Sequence, residues 1–401
     1  MDSYKLCEHG SPAANATRYA AFSSGAAASS WETGEDAVEQ LVASAGTIKN
    51  LYIELAVAPG VASTAAFTLR KNGADTALTV TISGTDTTGS DTSNTVTFAA
   101  GDRINWKCVT SAVASGSTNP RISADYAGDT ANESLLLGRI DATGDNVYYP
   151  IDGWGSSTQS TFVLAKQLIA TAGTIKKLYV RLNTAPGAGN SRTFTVYKNG
   201  STTALTLTIS NTDTTGNDTT HSFTVAAGDK LALFNNDDAT SAATQVSWGC
   251  VFTADTAGEF PILGGTNDDP SNSATEYITI NSVNGTFGTW NATEANRLAF
   301  GRTSWVKNMY VELTTAPGAG NSYTFTLRNN AGATALSVAI SEANTTGNDS
   351  EATGVAITNN DNLGLQSVPA STPTLPVEVS WGFTVTMTQP SADFTPQLYF
   401  S

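Results

Sequence analysis

Leu205-Thr206-Leu207-Thr208-Ile209 alternates apolar and hydroxyl side chains, and its apolar positions recur as Leu78, Val80, Ile82 and as Leu336, Val338, Ile340. A period of two sends successive side chains to opposite faces, so the stretch reads as a strand with one buried and one solvated face. Upstream, Leu178, Val180 and Leu182 share a face, matched by Leu51, Ile53, Leu55 and by Met309, Val311, Leu313. Between these two sets, Phe194 and Val196 match Phe67, Leu69 and Phe325, Leu327. Threonine fills the outward positions, where a β-branched polar residue suits an exposed strand. Asn72-Gly73 and Asn199-Gly200 fall between two such runs and predict tight hairpins, whereas Asn330-Ala331-Gly332 leaves the third turn free to differ. No segment keeps a helical period, apart from a turn of helix near Glu35 to Leu41. The fold class is all-β.

Widening the window shows a repeat. Ala45 to Ala100, Ala172 to Ala227 and Ser304 to Thr358 align almost without gaps. Ala58-Pro59-Gly60 returns as Ala185-Pro186-Gly187 and Ala316-Pro317-Gly318. Thr87-Thr88-Gly89-Ser90-Asp91 returns as Thr214-Thr215-Gly216-Asn217-Asp218 and Thr345-Thr346-Gly347-Asn348-Asp349, giving offsets of 127 (214 − 87) and 131 (345 − 214). Solenoid repeats run at roughly 20 to 50 residues, so this period is a whole domain. With about eight short strands in each unit, the count expected of a jelly roll, the 401 residues predict three tandem antiparallel β-sandwiches. The boundaries are an N-terminal arm at 1–16, sandwiches at 17–129, 130–258 and 259–390, and a C-terminal strand at 391–401. Gly101-Asp102 and Gly228-Asp229 mark a further turn, replaced by Asn359-Asn360-Asp361 with one extra residue.

Short apolar runs echo between the units: Ser134-Leu135-Leu136-Leu137-Gly138, Phe260-Pro261-Ile262-Leu263-Gly264 and Gln397-Leu398-Tyr399-Phe400-Ser401, with Tyr4-Lys5-Leu6-Cys7 as a fourth copy. Two readings stand side by side. The runs bridge neighbouring sandwiches, with the terminal copies docking on a partner, or they are ordinary first or last strands.

Charged residues make up 14% and the net charge is −15, well below the usual charged share of about 25%. That balance argues against nucleic acid, whose phosphates need clustered Lys and Arg, and against an anionic membrane surface. No run approaches the roughly 20 apolar residues of a membrane span, and Met1-Asp2-Ser3-Tyr4-Lys5 has no signal-peptide core. The expectation is a chain assembled in a cytoplasm.

Chemistry finds little to work with. Cys7, Cys108 and Cys250 are not equivalent across the repeats and show no zinc spacing; Cys108 and Cys250 read as buried thiols. His9 and His221 have no repeat partners, and no nucleophile, phosphate-loop or dinucleotide motif is present. A non-enzymatic protein with no cofactor is expected. Asp213 and Asp218, with Asp86, Asp91 and Asp349 in the matching loops, are the candidate calcium ligands, because closely spaced Asp and Asn can hold that ion. The same residues prefer turns for local hydrogen-bonding reasons, and three parallel copies favour the turn reading. Trp248 and Trp381, in matching Ser-Trp-Gly triplets, read as core anchors. Trp31, Trp154, Trp290 and Trp305 lie in variable segments, where an exposed ring could stack on a sugar.

Gly173-Thr174-Ile175-Lys176-Lys177-Leu178-Tyr179-Val180, Ala185-Pro186-Gly187, Lys198-Asn199-Gly200 and Ala226-Ala227-Gly228-Asp229 together resemble the β-sandwich repeats of tailed-phage virion proteins: capsid decoration proteins, head fibres and tail fibres. The resemblance covers most of all three units and rests on turn and core residues. It implies a virion surface component that needs no signal peptide. Its partners would be other capsid or tail proteins, further copies of itself in a homo-oligomer such as a trimer, and a host surface glycan. The alternative is a secreted or cell-surface carbohydrate-binding adhesin.

Overall fold

Every alternating run quoted above is a strand in the computed structural model, which describes residues 2–23, 31–111, 118–141, 144–155, 158–237, 244–282, 288–296, 299–300 and 302–390. The first unit runs through β1 (Ser3–Glu8), β2 (Thr17–Ala21), β3 (Gln40–Leu41), β4 (Gly46–Leu55), β5 (Gly60–Lys71), β6 (Ala74–Gly84), β7 (Thr88–Phe98), β8 (Arg103–Thr110) and β9 (Pro120–Gly128). The second comprises β10 (Glu133–Ile140), β11 (Val147–Tyr149), β12 (Gly153–Gly155), β13 (Gln167–Leu168), β14 (Gly173–Leu182), β15 (Gly187–Lys198), β16 (Ser201–Asn211), β17 (Thr215–Val225), β18 (Lys230–Asp237) and β19 (Val246–Ala254). The third comprises β20 (Glu259–Thr266), β21 (Glu276–Ile278), β22 (Ala299–Phe300), β23 (Ser304–Leu313), β24 (Gly318–Asn329), β25 (Gly332–Glu342), β26 (Thr346–Ile357), β27 (Asn362–Ala370) and β28 (Val379–Thr386).

In the first unit one sheet has the order β1-β9-β4-β7 and the other β2-β8-β5-β6, with β3 added to β8. First pairs with last, second with next to last, and so inward to the β5–β6 hairpin. A long hairpin rolled up in this way is a jelly roll. The other units repeat it, as β10-β19-β14-β17 over β11-β18-β15-β16 and β20-β28-β23-β26 over β21-β27-β24-β25. The expected eight strands are these four-plus-four sets, and the two-residue β3, β13 and β22, with β12 paired parallel to β10, raise the count. The predicted helical turn near Glu35 is one hydrogen-bonded turn, Val38 N to Glu35 O at 3.0 Å. The later units place single 3-10 turns at Phe162–Leu164 and Glu294–Asn296.

Residues 1–16, expected as an arm, contain β1, which pairs along its length with β9 and opens the first sandwich. The echoing runs are therefore first strands of their own units, three in the described residues; Gln397 to Ser401 lies outside them. The third hairpin does not differ as expected. Asn330 and Ala331 take φ of 49° and 61°, matching Asn72 and Gly73 at 51° and 78°, so the same two-residue turn is built with an alanine in the left-handed region. The extra residue of the third unit is not in the turn before β27 either. Asn360 (φ 75°) stands where Gly101 and Gly228 stand. The insertion is absorbed in β26, where the register against β23 slips between Val306 and Asn308 and Gly354 takes φ 70°.

The two sheets of each unit have different surroundings. In β16, Leu205, Leu207 and Ile209 are buried while Thr206 and Thr208 are exposed. β10 and β20, by contrast, are buried at all eight positions. A strand buried on both faces needs apolar residues on both, hence the unbroken Leu135-Leu136-Leu137. Leu136 faces its own core, and Leu135 and Leu137 enter the core of the first unit. Leu263 enters the core of the second unit, and Tyr4 and Leu6 enter that of the third. The first strand of each unit thus plugs the unit before it, that of the first unit plugging the third, and the chain closes into a ring of three.

Candidate interaction surfaces

The joints of this ring are built from equivalent residues. Leu6, Leu137 and Leu263 occupy one register position on β1, β10 and β20, since their inward neighbours Cys7, Gly138 and Gly264 pair with Ile122, Trp248 and Trp381. Burying a leucine contributes about 1.5–3 kcal/mol, so the three plugs anchor the ring through apolar contact. Beside them, the Tyr179 ring lies 3.7 Å from where a Cβ on Gly101 would stand, and the Tyr310 ring at 3.6 Å from the same point on Gly228. At the third joint the Tyr52 hydroxyl accepts a 3.4 Å hydrogen bond from Asn359 Nδ2.

Polar contacts complete each joint. At the first, Ser44 donates to the buried Glu133 carboxylate, and Arg139 donates to the Ala37 carbonyl. At the second, Thr171 donates to Glu259, Thr384 Oγ1 donates to Ala170 O at 2.7 Å, and Lys166 pairs with Glu312 at 3.0 Å. The third replaces the hydroxyl by Arg302, which grips Asp125 and stacks over Tyr52, its guanidinium carbon 4.0 Å from the ring centre. Tyr4 Oη and Ser304 Oγ are 3.2 Å apart, and Asn281 Nδ2 donates to Leu6 O. A groove of about 300 Å³ follows the second joint between Lys230 and Tyr310, Glu312 and Asn348.

The recurrent Thr-Thr-Gly-Asn-Asp motif, expected as a loop, lies mostly within a strand. β17 begins at Thr215, and Asp218 sits where the register against β14 slips between Lys176 and Leu178. Its Oδ2 accepts from Thr206 N, in the opposite sheet, at 3.1 Å, and its Oδ1 accepts from Thr220 N and His221 N at 3.1 Å. Asp91 and Asp349 tie Thr79 N and Ser337 N in the same way. Burial works upward on the Asp218 carboxyl, but the amides of His221, Thr206 and Thr220 outweigh it and bring it down to about 2. Gly216 packs beneath Ile209 and Leu207, where a Cβ would come within 3.0 and 3.1 Å. Asp86 and Asp213 sit in the exposed corners, their amides bonded to Ser83 O and Ser210 O. No group of three His, Cys, Asp or Glu gathers among the described residues.

Most of the described tryptophans face inward. Trp248 and Trp381 are fully buried and donate to Ile151 O and Ile280 O. Trp31 and Trp290, considered as sugar platforms, are each 6% exposed; their segments fold under as lids on the core. Trp305 is half-buried on β23, and the Trp154 side chain lies outside the described residues. All three cysteines are buried and unbridged, with burial pushing their thiols far up. Burial pulls His9 down to about 3, and its neutral ring sits 3.1 Å from Ala21 O.

Partly exposed aromatic rings that sequence reasoning did not single out lie on the solvated sheet of the second unit. Tyr148, Phe162, Tyr197 and Phe234 form one cluster with centroids 4.5–6.5 Å apart. The first unit has Arg70 bound to Glu35 at this place, and the third has Arg328 bound to Glu294. Offset arithmetic finds this exchange: Arg70 plus 127 is Tyr197, and Glu35 plus 127 is Phe162. Beside the cluster run two threonine pairs, Thr193–Thr208 and Thr195–Thr206, each 2.8 Å between hydroxyls.

No family model matches the chain, and no curated protein matches it. Among solved structures it is similar to a chain from the atomic structure of Sulfolobus turreted icosahedral virus. The identity is 11%, over 96% of this chain and 90% of that one, and the TM-score is 0.19, too low to transfer fold or role.

Proposed function

We propose that this chain is a non-enzymatic structural component of a virus particle, decorating or projecting from a capsid or tail. The observation that carries the reading is the closed ring of three jelly-roll units. Its recurrent residues serve turns, cross-sheet ties and joints, and its solvated sheets face outward as three similar surfaces. A rigid body of that form suits repeated seating on other virion proteins, at a position of threefold or near-threefold symmetry, with no further copy needed to complete the trimer-like shape. The test is recovery of the chain by peptide mass spectrometry from density-purified particles of the source culture. Many copies in the particle band are expected. Recovery from the cell envelope or medium, with none in particles, overturns the reading.

A second reading, a carbohydrate-binding adhesin, is favoured by the aromatic cluster of the second unit, since rings flanked by hydroxyls match the apolar faces and edges of sugars. Glycan-array binding that disappears in Tyr197→Ala, with an unchanged melting temperature, supports it; no binding to any glycan removes it.

A further inference from the structure

We infer that each joint of the ring carries a charge code admitting one particular unit, so that the three units recognise one another in fixed order even without an intact connecting chain. The leucine of the plug cannot discriminate, because Leu6, Leu137 and Leu263 present the same side chain at all three joints, and the only apolar difference beside it is Tyr4, Leu135 or Pro261 two residues earlier. Charge can. Three equivalent positions frame the first two joints: 39 and 166 on the lid, 103 and 230 at the start of the neighbouring strand, 181 and 312 on the incoming strand. At the first joint the buried Glu39 lies between Arg103 of its own unit at 2.8 Å and Arg181 of the second unit at 3.5 Å. At the second joint the signs of the lid and incoming positions invert, while Lys230 keeps the positive charge of Arg103. Lys166 and Lys230 of the second unit meet Glu312 of the third at 3.0 and 2.8 Å. At the third joint the incoming position is Glu54, which Arg121 of the same unit holds at 3.0 Å, and the charges that cross are instead Arg302 of the third unit and Asp125 of the first at 2.9 Å.

Wrong pairings fail by charge. The second unit against a copy of itself would bring Lys166, Lys230 and Arg181 together with no anion. The third unit seated on the first would press Glu312 against Glu39. Like charges forced into a half-dry contact repel far more than in water, and specificity built this way works by excluding competitors. Within one chain the connections, residues 129–132 and 255–258, already impose order. The code therefore bears on units of a second copy, the partners with which tandem repeats misassemble.

The test exchanges the signs at one joint of the full-length chain. Lys166→Glu with Glu312→Lys gives the second joint the sign pattern of the first. Each single variant should weaken the joint roughly tenfold or more, a shift of about 1.4 kcal/mol, read as a lowered denaturation midpoint, and the double variant should recover most of it. Silent single variants, or a double variant as damaged as the sum of the two, overturn the code. If a single variant fails to fold, folding of the double still supports it and failure of the double overturns it. In parallel, wild type carrying protease sites in both connections is cleaved after folding. A 1:1:1 complex eluting as the uncut chain is expected; separation of the fragments overturns recognition without the connecting chain.

Discussion

Arg302 donates two hydrogen bonds of 2.9 Å to Asp125, 177 residues earlier, and this buried pair closes the ring between its last and first units. Asn50 Nδ2 adds a third donor to the same carboxylate at 2.8 Å. Removing one partner strands a charge that water cannot reach. Asp125→Ala should therefore cost about 3–5 kcal/mol, and replacing both residues by leucine should recover much of it. Urea denaturation of the full chain measures both; a loss below about 1 kcal/mol in the single variant would show that the pair does not hold the ring.

Gly138 and Gly264 give way to the indoles of Trp248 and Trp381, where a Cβ would come within 2.3 and 2.2 Å. The first unit solves the same volume problem with Cys7 against Ile122. Gly138→Cys alone should overpack the second core by more than the usual 1–3 kcal/mol. Adding Trp248→Ile should relieve part of that cost, with thermal melts as the readout; a double variant less stable than the single would contradict this account.

Ala331 holds a left-handed turn position, φ 61°, that glycine fills in the other two units. An L-residue loses about 1–2 kcal/mol there. Ala331→Gly should thus stabilise the third unit by about 1 kcal/mol, less whatever the freer unfolded chain takes back. The denaturation midpoint checks it, and no increase would mean that the turn is unstrained.

Burial at the second joint pushes Glu378 from its ordinary value of 4.5 up to about 8, despite Lys166 and Ser380. The folded state then holds a proton that the unfolded state has released, so this contribution is full below pH 4.5 and is lost as pH rises through about 8. The slope cannot exceed about 1.4 kcal/mol per pH unit for one group. Glu378→Gln should flatten the fall in stability across that window; identical pH profiles for variant and wild type would rule Glu378 out as its source.

Asp218 already accepts three amide hydrogen bonds and ties the two sheets together. Its loss in Asp218→Ala should cost about 1.5–3 kcal/mol, the range for hydrogen bonds to a charged group, by removing this cross-sheet tie. Calcium or chelator should leave the wild-type melt unmoved. A rise of several degrees with calcium would restore the metal reading of Asp213 and Asp218.

Local chemistry is what the sequence by itself determined. The period of two, the Asn-Gly turns and the 127- and 131-residue offsets specify strands, hairpins and three sandwiches, because each depends on residues near in sequence or copied at a fixed distance. The Asp218 motif was misplaced in a loop because Thr, Gly, Asn and Asp serve a strand bulge as readily as a turn. Leu135-Leu136-Leu137 signalled burial on two faces but not what lay against the second. Tertiary structure alone decided that Leu6 fills the third core, that Glu39 meets Arg181 while Lys166 meets Glu312, and that Arg302 reaches Asp125. These contacts join residues up to hundreds of positions apart, and they form because a sheet with two apolar faces must be covered on both, which closure into a ring does for all three units at once.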